Sequence, residues 1–438
     1  MEKVSNYSQN FESINKVNNE SDKSHFLSDA LIFVVILGSV EFYRISGLTK
    51  NIVYILQFAI IIVLFAIIVV NLIYVKKQPS FRNFRFGLIL ITIGVILSVF
   101  SAKMINHQPI PITLWAQRSV YFFFFYTVLH ILKPTKERLI EIVFLFGVIY
   151  AVFYTLQYIA YPIRIFDVRQ EMDRGTVRIF LSGSSYLGIA YLFALQEILY
   201  RPKKKFVFYL FVFLLITFLS GSRGRMFNTA FITSLAILFS RKVKNKFIIV
   251  FLGLFASIAL ILVFQEYFLN LFELTRQQTD NAEDDVRSRA IDYFLNDFMT
   301  HKLCYITGNG DYHFTSPYGQ RVAFLMFNKG FFMSDVGIIG EYVRYGIFFV
   351  FGGVLMIIKA LFVKINTELM FIKYFLVSAI IALPLASTFT APYSIVALCI
   401  IWYLLDLQMN KKRDEHFKAA NPELFENEKD GNFIIYRR

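Results

Sequence analysis

The chain has 438 residues, of which 56% are hydrophobic and 18% aromatic but only 17% charged, and its mean hydropathy is +0.54. Soluble domains carry roughly 25% charged residues, so this composition excludes an ordinary soluble enzyme and points to an integral membrane protein. The net charge of +14 does not imply nucleic acid, because most lysines sit in short clusters between apolar segments.

The chain opens on MEKVSNYSQNFESINKVNNESDKSHF, which is polar and lacks the charged-then-apolar pattern of a cleaved signal. It reads as a cytoplasmic tail over 1–28. Runs of about 20 apolar residues, the length needed to cross a hydrocarbon core, then recur. Asn51–Val75 carries no charged residue, and Phe247–Phe264 reads FIIVFLGLFASIALILVF. The predicted fold is all-α, a polytopic transmembrane bundle of about twelve spans, with starts near Asp29, Asn51, Phe86, Ser119, Leu139, Leu181, Phe206, Met226, Phe247, Asp335, Tyr374 and Tyr393. Nine spans occupy 29–268, a large and partly helical extracytoplasmic loop 269–334, three spans 335–406, and a second cytoplasmic tail 407–438.

Basic clusters set the expected orientation, since positive residues in short loops stay cytoplasmic. Lys76–Arg85, Lys133–Arg138, Arg201–Lys205, Arg241–Lys246, Lys359 with Lys364 and Lys373, and Lys411–Arg413 all fall on one side, together with both termini. The opposite face is rich in arginine instead. Arg164, Arg169, Arg174 and Arg178 lie in one segment, Arg223 and Arg225 in GSRGR, and Arg276, Arg287, Arg289 and Arg321 in the long loop. Guanidinium forks match phosphate oxygens and stay charged, which suits an anionic lipid-linked ligand. The same arginines could instead pair with Asp167, Glu171, Asp173, Asp284 and Asp285, or with lipid headgroups. The two cysteines, Cys304 and Cys399, are poorly placed to pair and imply no disulfide framework.

The most specific local pattern is FLSGSRGRMFNTAF, Phe218–Phe231. Gly221 and Gly224 permit a tight turn, and a helix starting near Met226 would aim free N–H groups and a positive dipole end at an anion. An ordinary hairpin turn whose arginines reach headgroups is the alternative. The long loop opens with a predicted helical stretch around DDVRSRAIDYF and is too long for a mere connector. No internal repeat is visible, which counts against transporters built from inverted halves.

A serine-glycine-serine-arginine-glycine turn followed by a long extracytoplasmic loop resembles the bacterial O-antigen polymerase and O-antigen ligase superfamily. Arg287 and Arg289, the G-x-G step at Gly308 and Gly310, and SDVGIIGEYVRYGIFF (Ser334–Phe349) fit the same pattern. The likeness covers roughly Leu181–Phe351. Ligases of this kind carry a histidine about eleven residues before the glycine of the last motif; counting back from Gly346, that position is Asp335. His301 and His313 are nearby, but the simplest alignment favours a polymerase.

The resemblance implies joining of polyprenyl-pyrophosphate-linked repeat units on the outer face of the bacterial cytoplasmic membrane, making O-antigen, capsule or exopolysaccharide. Its partners would be a lipid-linked glycan donor and acceptor, the bilayer and, as the resemblance allows, a chain-length regulator. Arg223, Arg225, Arg287 and Arg289 are the candidates for holding the pyrophosphate as it leaves, without a metal or other cofactor. For the base that takes the acceptor proton, the candidates are Asp335, Glu341 and His313. Against these stand an N-cap role for Asp335, a Glu341–Arg344 pair at helical spacing, and a solvated loop histidine. Gln157 and Glu197 are expected to bond to neighbouring helices. Rival readings are a ligase on the same scaffold, and a lipid-linked oligosaccharide flippase or secondary transporter.

Overall fold

The computed structural model describes residues 26–45, 50–75, 83–173, 176–240 and 285–420, with short pieces at 242 and 245–246. The predicted span from Phe247, the beginning of the long loop, Arg174, Arg276 and Asp284 lie outside the described residues. Within them the chain is all-α apart from one β-hairpin. The helices are α1 (Phe26–Val40), α2 (Lys50–Val70, continued by a π-turn at Asn71–Val75), α3 (Arg85–Met104), α4 (Ile110–Ala116), α5 (Phe124–Leu132) and α6 (Lys136–Ile159). The hairpin β1 (Gln170–Asp173) and β2 (Thr176–Ile179) follows, then α7 (Ser184–Tyr200), α8 (Lys204–Leu219), α9 (Arg223–Phe239), α10 (Val286–Asn296), α11 (Cys304–Thr307) and α12 (Pro317–Lys329). The chain closes with α13 (Gly337–Phe362), α14 (Met370–Ala382) and α15 (Pro392–Ala420).

Every predicted start that falls among the described residues leads into a helix. Among the described residues, five stretches, in α2, α3, α6, α13 and α15, are long and apolar enough to cross a membrane. They differ in place: 72% of the apolar window of α15 is buried but only 22% of that of α2, so α15 is the central pillar and α2 the rim. The α15 helix also runs on through the charged residues beyond position 406.

Small residues let the spans approach. A Cβ on Gly94 would lie 2.6 Å from the Phe349 nitrogen, and one on Gly87 2.2 Å from Met356 Cγ, so α3 and α13 cross antiparallel at backbone contact. This is the packing that lipid-bathed helices favour, because tails supply no hydrophobic drive of their own.

The span predicted from Ser119 begins earlier and is broken. It comprises α4, a 3-10 stretch over Gln117–Phe123, and α5. Gln117 and Arg118 look like a helix boundary in the sequence, but neighbours satisfy them: Gln117 Nε2 donates to Tyr121 Oη (3.0 Å), and Arg118 Nε donates to Gln57 Oε1 (2.9 Å) while stacking on Tyr54. The hairpin is likewise tied down from within the bundle. Gln157 accepts from the backbone N–H groups of Ile165 and Phe166 and donates to Ile163 O and Gln170 Oε1, so it organises the following loop and not a neighbouring helix.

Midway along α15 lies a buried polar knot. Asp406, fully buried, accepts from Asn83 Nδ2 (2.7 Å) and from the Tyr126 hydroxyl, and sits 3.3 Å from His130 Nε2. Each donor would be stranded in an apolar core if the carboxylate were removed. Asp406→Leu is therefore expected to destabilise the fold by about 3–5 kcal/mol, read as a lower unfolding temperature of the detergent-solubilised protein. An unchanged midpoint would show that the knot adds nothing.

Candidate functional site

The α8–α9 turn is built from its first glycine. Ser220 donates its Oγ back to Thr217 O (2.7 Å), Gly221 takes φ +59 and donates its N–H to Phe218 O (3.1 Å), and extended Ser222 starts the next helix. That helix begins at Arg223, three residues before the expected Met226, with Met226 N–H donating to Ser222 O (2.9 Å). Gly224 is thus helical and not part of the turn, and an added Cβ would meet nothing nearer than Leu385 Cδ1 at 4.0 Å. Gly221→Ala should strain the turn by about 1 kcal/mol or more, whereas Gly224→Ala should be neutral or slightly stabilising. Thermal unfolding of the two variants distinguishes them, and equal effects would contradict this assignment.

Below the turn opens a cavity of about 1570 Å³. Arg178 of β2, Arg223 and Arg225 of α9, and Arg287 of α10 line it, with Asp285 and Asp335 as the acidic side chains. Leu187, Leu192, Phe227, Phe375 and Leu398 add apolar surface to the lining, with scattered hydroxyls. Among the described residues, four arginines against two carboxylates make the lining cationic. The walls are fixed to one another: Ser185 Oγ meets Ser394 Oγ at 3.2 Å, Tyr191 Oη meets Thr233 Oγ1 at 2.5 Å, and Asn228 Nδ2 donates to Ser378 Oγ (2.8 Å). Arg225 lies close enough to the phenols of Tyr150, Tyr154 and Tyr393 to interact with them electrostatically. The guanidinium of Arg178 lies 5.1 Å over the Phe180 ring.

The predicted residues separate here. Arg223, Arg225, Arg287 and Asp335 meet in the cavity although they come from segments far apart in the chain. Arg289 is exposed and is not part of the lining, because two residues along α10 carry it to another face. Asp335 sits in a 3-10 turn at Met333–Val336, exposed, with Ser334 Oγ donating to its Oδ1 (3.2 Å); Val336, not Asp335, occupies the N-cap of α13. His313 lies outside the cavity lining, with Nδ1 2.7 Å from Thr315 Oγ1.

Glu341 is fully buried and outside the cavity lining. Its Oε1 accepts from Phe389 N–H (2.7 Å) and Thr390 Oγ1 (3.1 Å). The expected Glu341–Arg344 contact is relayed through Thr390, to which Arg344 Nη2 also donates (2.9 Å). Glu341 therefore holds the 388–390 segment, whose Thr388 lines the cavity.

The sequence reading missed how far this network extends. Arg344 Nη1 lies 3.8 Å from Asp311 Oδ1, and Tyr345 Oη donates to Asp311 Oδ2 (3.0 Å). Asp311 follows the G-x-G step directly, and that adjacency is the one signal that could have marked it. The step itself fits a break in α13. Gly346 leaves helical geometry (φ 76, ψ −175), so the carbonyls of Val343 and Arg344 lose their helical partners. Asn309 N–H and Gly310 N–H replace them, each at 2.8 Å. Burial, with the Asp311 charge second, pushes the Tyr312 phenol up to about 12, which keeps it a hydrogen-bond donor and unsuited to act as a base at neutral pH.

Among the described residues, no three His, Cys, Asp or Glu side chains gather in a way that could hold a metal ion. No family model and no curated protein matches the chain.

Proposed function

We propose that the chain is a membrane glycosyltransferase that extends a polyprenyl-pyrophosphate-linked glycan by one lipid-linked repeat unit at a time, on the outer face of the bacterial cytoplasmic membrane, with both termini cytoplasmic. The observation that supports it is the meeting of Arg178, Arg223, Arg225, Arg287 and Asp335 around one large cavity whose lining also carries apolar side chains. A sugar carried on pyrophosphate and a lipid tail is amphiphilic in the same sense. The ligand needs fixed cations at one end and an apolar wall at the other.

In this reading an acceptor hydroxyl oxygen attacks the anomeric carbon of the growing chain. The bond from that carbon to the pyrophosphate oxygen breaks, and the leaving group keeps the electron pair. Arg223, Arg225 and Arg287 stabilise the charge that develops there, as preorganised donors in a water-poor site do. Asp335, exposed to the cavity, takes the hydroxyl proton and returns it to solvent.

The test is complementation of a strain deleted for this gene, with the surface glycan resolved on a gel. Wild type should give a ladder of repeats, while the deletion and Arg287→Ala should give core carrying a single unit. Arg289→Ala, outside the cavity lining, should keep the ladder. Loss of even the single unit in the deletion would favour a flippase or ligase, and an unchanged glycan would remove the glycan assignment.

A further inference from the structure

Residues Leu303–Gly310 belong to the long loop by sequence, yet they pack against the flanks of two spans. A Cβ on Gly310 would lie 2.5 Å from Ala102 Cβ and 2.8 Å from Ser98 O, and Ala102 and Ser98 precede the α3 terminus Met104 by two and six residues. At about 1.5 Å per residue, the contact lies roughly 3–9 Å inside that end. With 20 residues, α3 is about 30 Å long, just the thickness of a hydrocarbon core. The partners on α13, Val343, Arg344 and Gly346, likewise lie six to nine residues inside its start.

Irregular backbone at that depth survives only if the protein itself bonds its polar groups. Here Thr307 N–H donates to Leu303 O (2.9 Å), Gly308 N–H to Cys304 O (2.8 Å), and Asn309 and Gly310 N–H to the carbonyls freed on α13. The aliphatic side chains of Leu303 and Ile306 face away from this contact, beside Tyr305, whose hydroxyl donates to Leu295 O (3.0 Å). Leu303 is 53% and Ile306 48% exposed, matching Phe100 and Met104 on α3 and Ile347 and Phe351 on α13, which are also exposed.

We propose that Leu303–Gly310 is inserted into the bilayer, with Leu303 and Ile306 against the same acyl chains that bathe the ends of α3 and α13. The long loop is thus anchored in lipid and not suspended in water. This rests on α3 and α13 crossing a bilayer and is independent of the proposed chemistry.

The test places nitroxide labels on Leu303→Cys and Ile306→Cys in the full chain, reconstituted in phosphatidylcholine and phosphatidylglycerol vesicles. Both native cysteines are buried, and the wild type measures their background labelling. Phe100→Cys serves as lipid reference and Asp297→Cys, exposed at the end of α10, as water reference. Labels at 303 and 306 should collide several-fold more with oxygen than with a nickel chelate, as at 100 and opposite to 297. Nickel collisions like those at 297 would make the segment a water-facing loop, and few collisions with either probe would mean that protein covers it; each outcome overturns the proposal. Independently, Ile306→Trp should gain fluorescence quenching by lipids brominated on the acyl chain, beyond that of the native Trp115 and Trp402. No gain would likewise refute insertion.

Discussion

Alanine at Arg223 is expected to lower chain extension by about 10²–10³-fold, or roughly 3–4 kcal/mol of transition-state stabilisation, the loss typical when one preorganised donor to a developing anion is removed. The first turn of α9 carries this residue, with the guanidinium of Arg225 two residues on in the same cavity lining. Lysine at 223 should recover only part of the loss, because an ammonium restores the charge without the bidentate fork. Turnover of a purified lipid-linked repeat unit by reconstituted protein separates the two: Arg223→Lys falls between wild type and Arg223→Ala, at matched protein levels. If Arg223→Ala retains near-normal turnover, the pyrophosphate site is elsewhere. Arg289→Ala sets the scale for an arginine near the site that does not line the cavity.

The second large effect is structural. Gly346→Ala is expected to destabilise the protein by more than about 3 kcal/mol, because φ +76 with ψ −175 is accessible almost only to glycine. The added Cβ would also lie 2.2 Å from Ile306 O and 2.6 Å from the Thr307 carbonyl carbon. Gly308→Ala meets the reciprocal clash, 2.4 Å from Arg344 O and 2.5 Å from Gly346 N. Against a typical total stability of about 5–15 kcal/mol, either change should abolish monodisperse protein on size-exclusion chromatography of solubilised membranes. Gly188→Ala, with nothing within 4 Å of the added Cβ, should elute as wild type. Normal yields of Gly346→Ala would mean that the helix break is dispensable.

The helices were legible because uninterrupted apolar runs leave few alternatives, and the glycine turn was legible because Gly221 punctuates it. The α4–α5 helix was misread at its start, since Gln117 and Arg118 look like a boundary until their partners, Tyr121 in the same 3-10 stretch and Gln57 on α2, are known. The hairpin was hidden because Arg169–Phe180 is charged and irregular, and its order comes from Gln157 in a different element. In the site, arginine sidedness found Arg223, Arg225 and Arg287, but sequence spacing gives no reason to separate Arg287 from Arg289. That takes the rotation of α10 against the cavity. Glu341 and His313 were named by chemical type alone, and only packing removes them from the lining.

The break at Gly346 also constrains how the molecule can move. Its two freed carbonyls accept from the backbone amides of Asn309 and Gly310 and, at Val343, from the Asn309 side chain, so lifting the G-x-G step away would strand two backbone acceptors, at several kcal/mol each in hydrocarbon. The step and the start of α13 therefore travel as one stiff part.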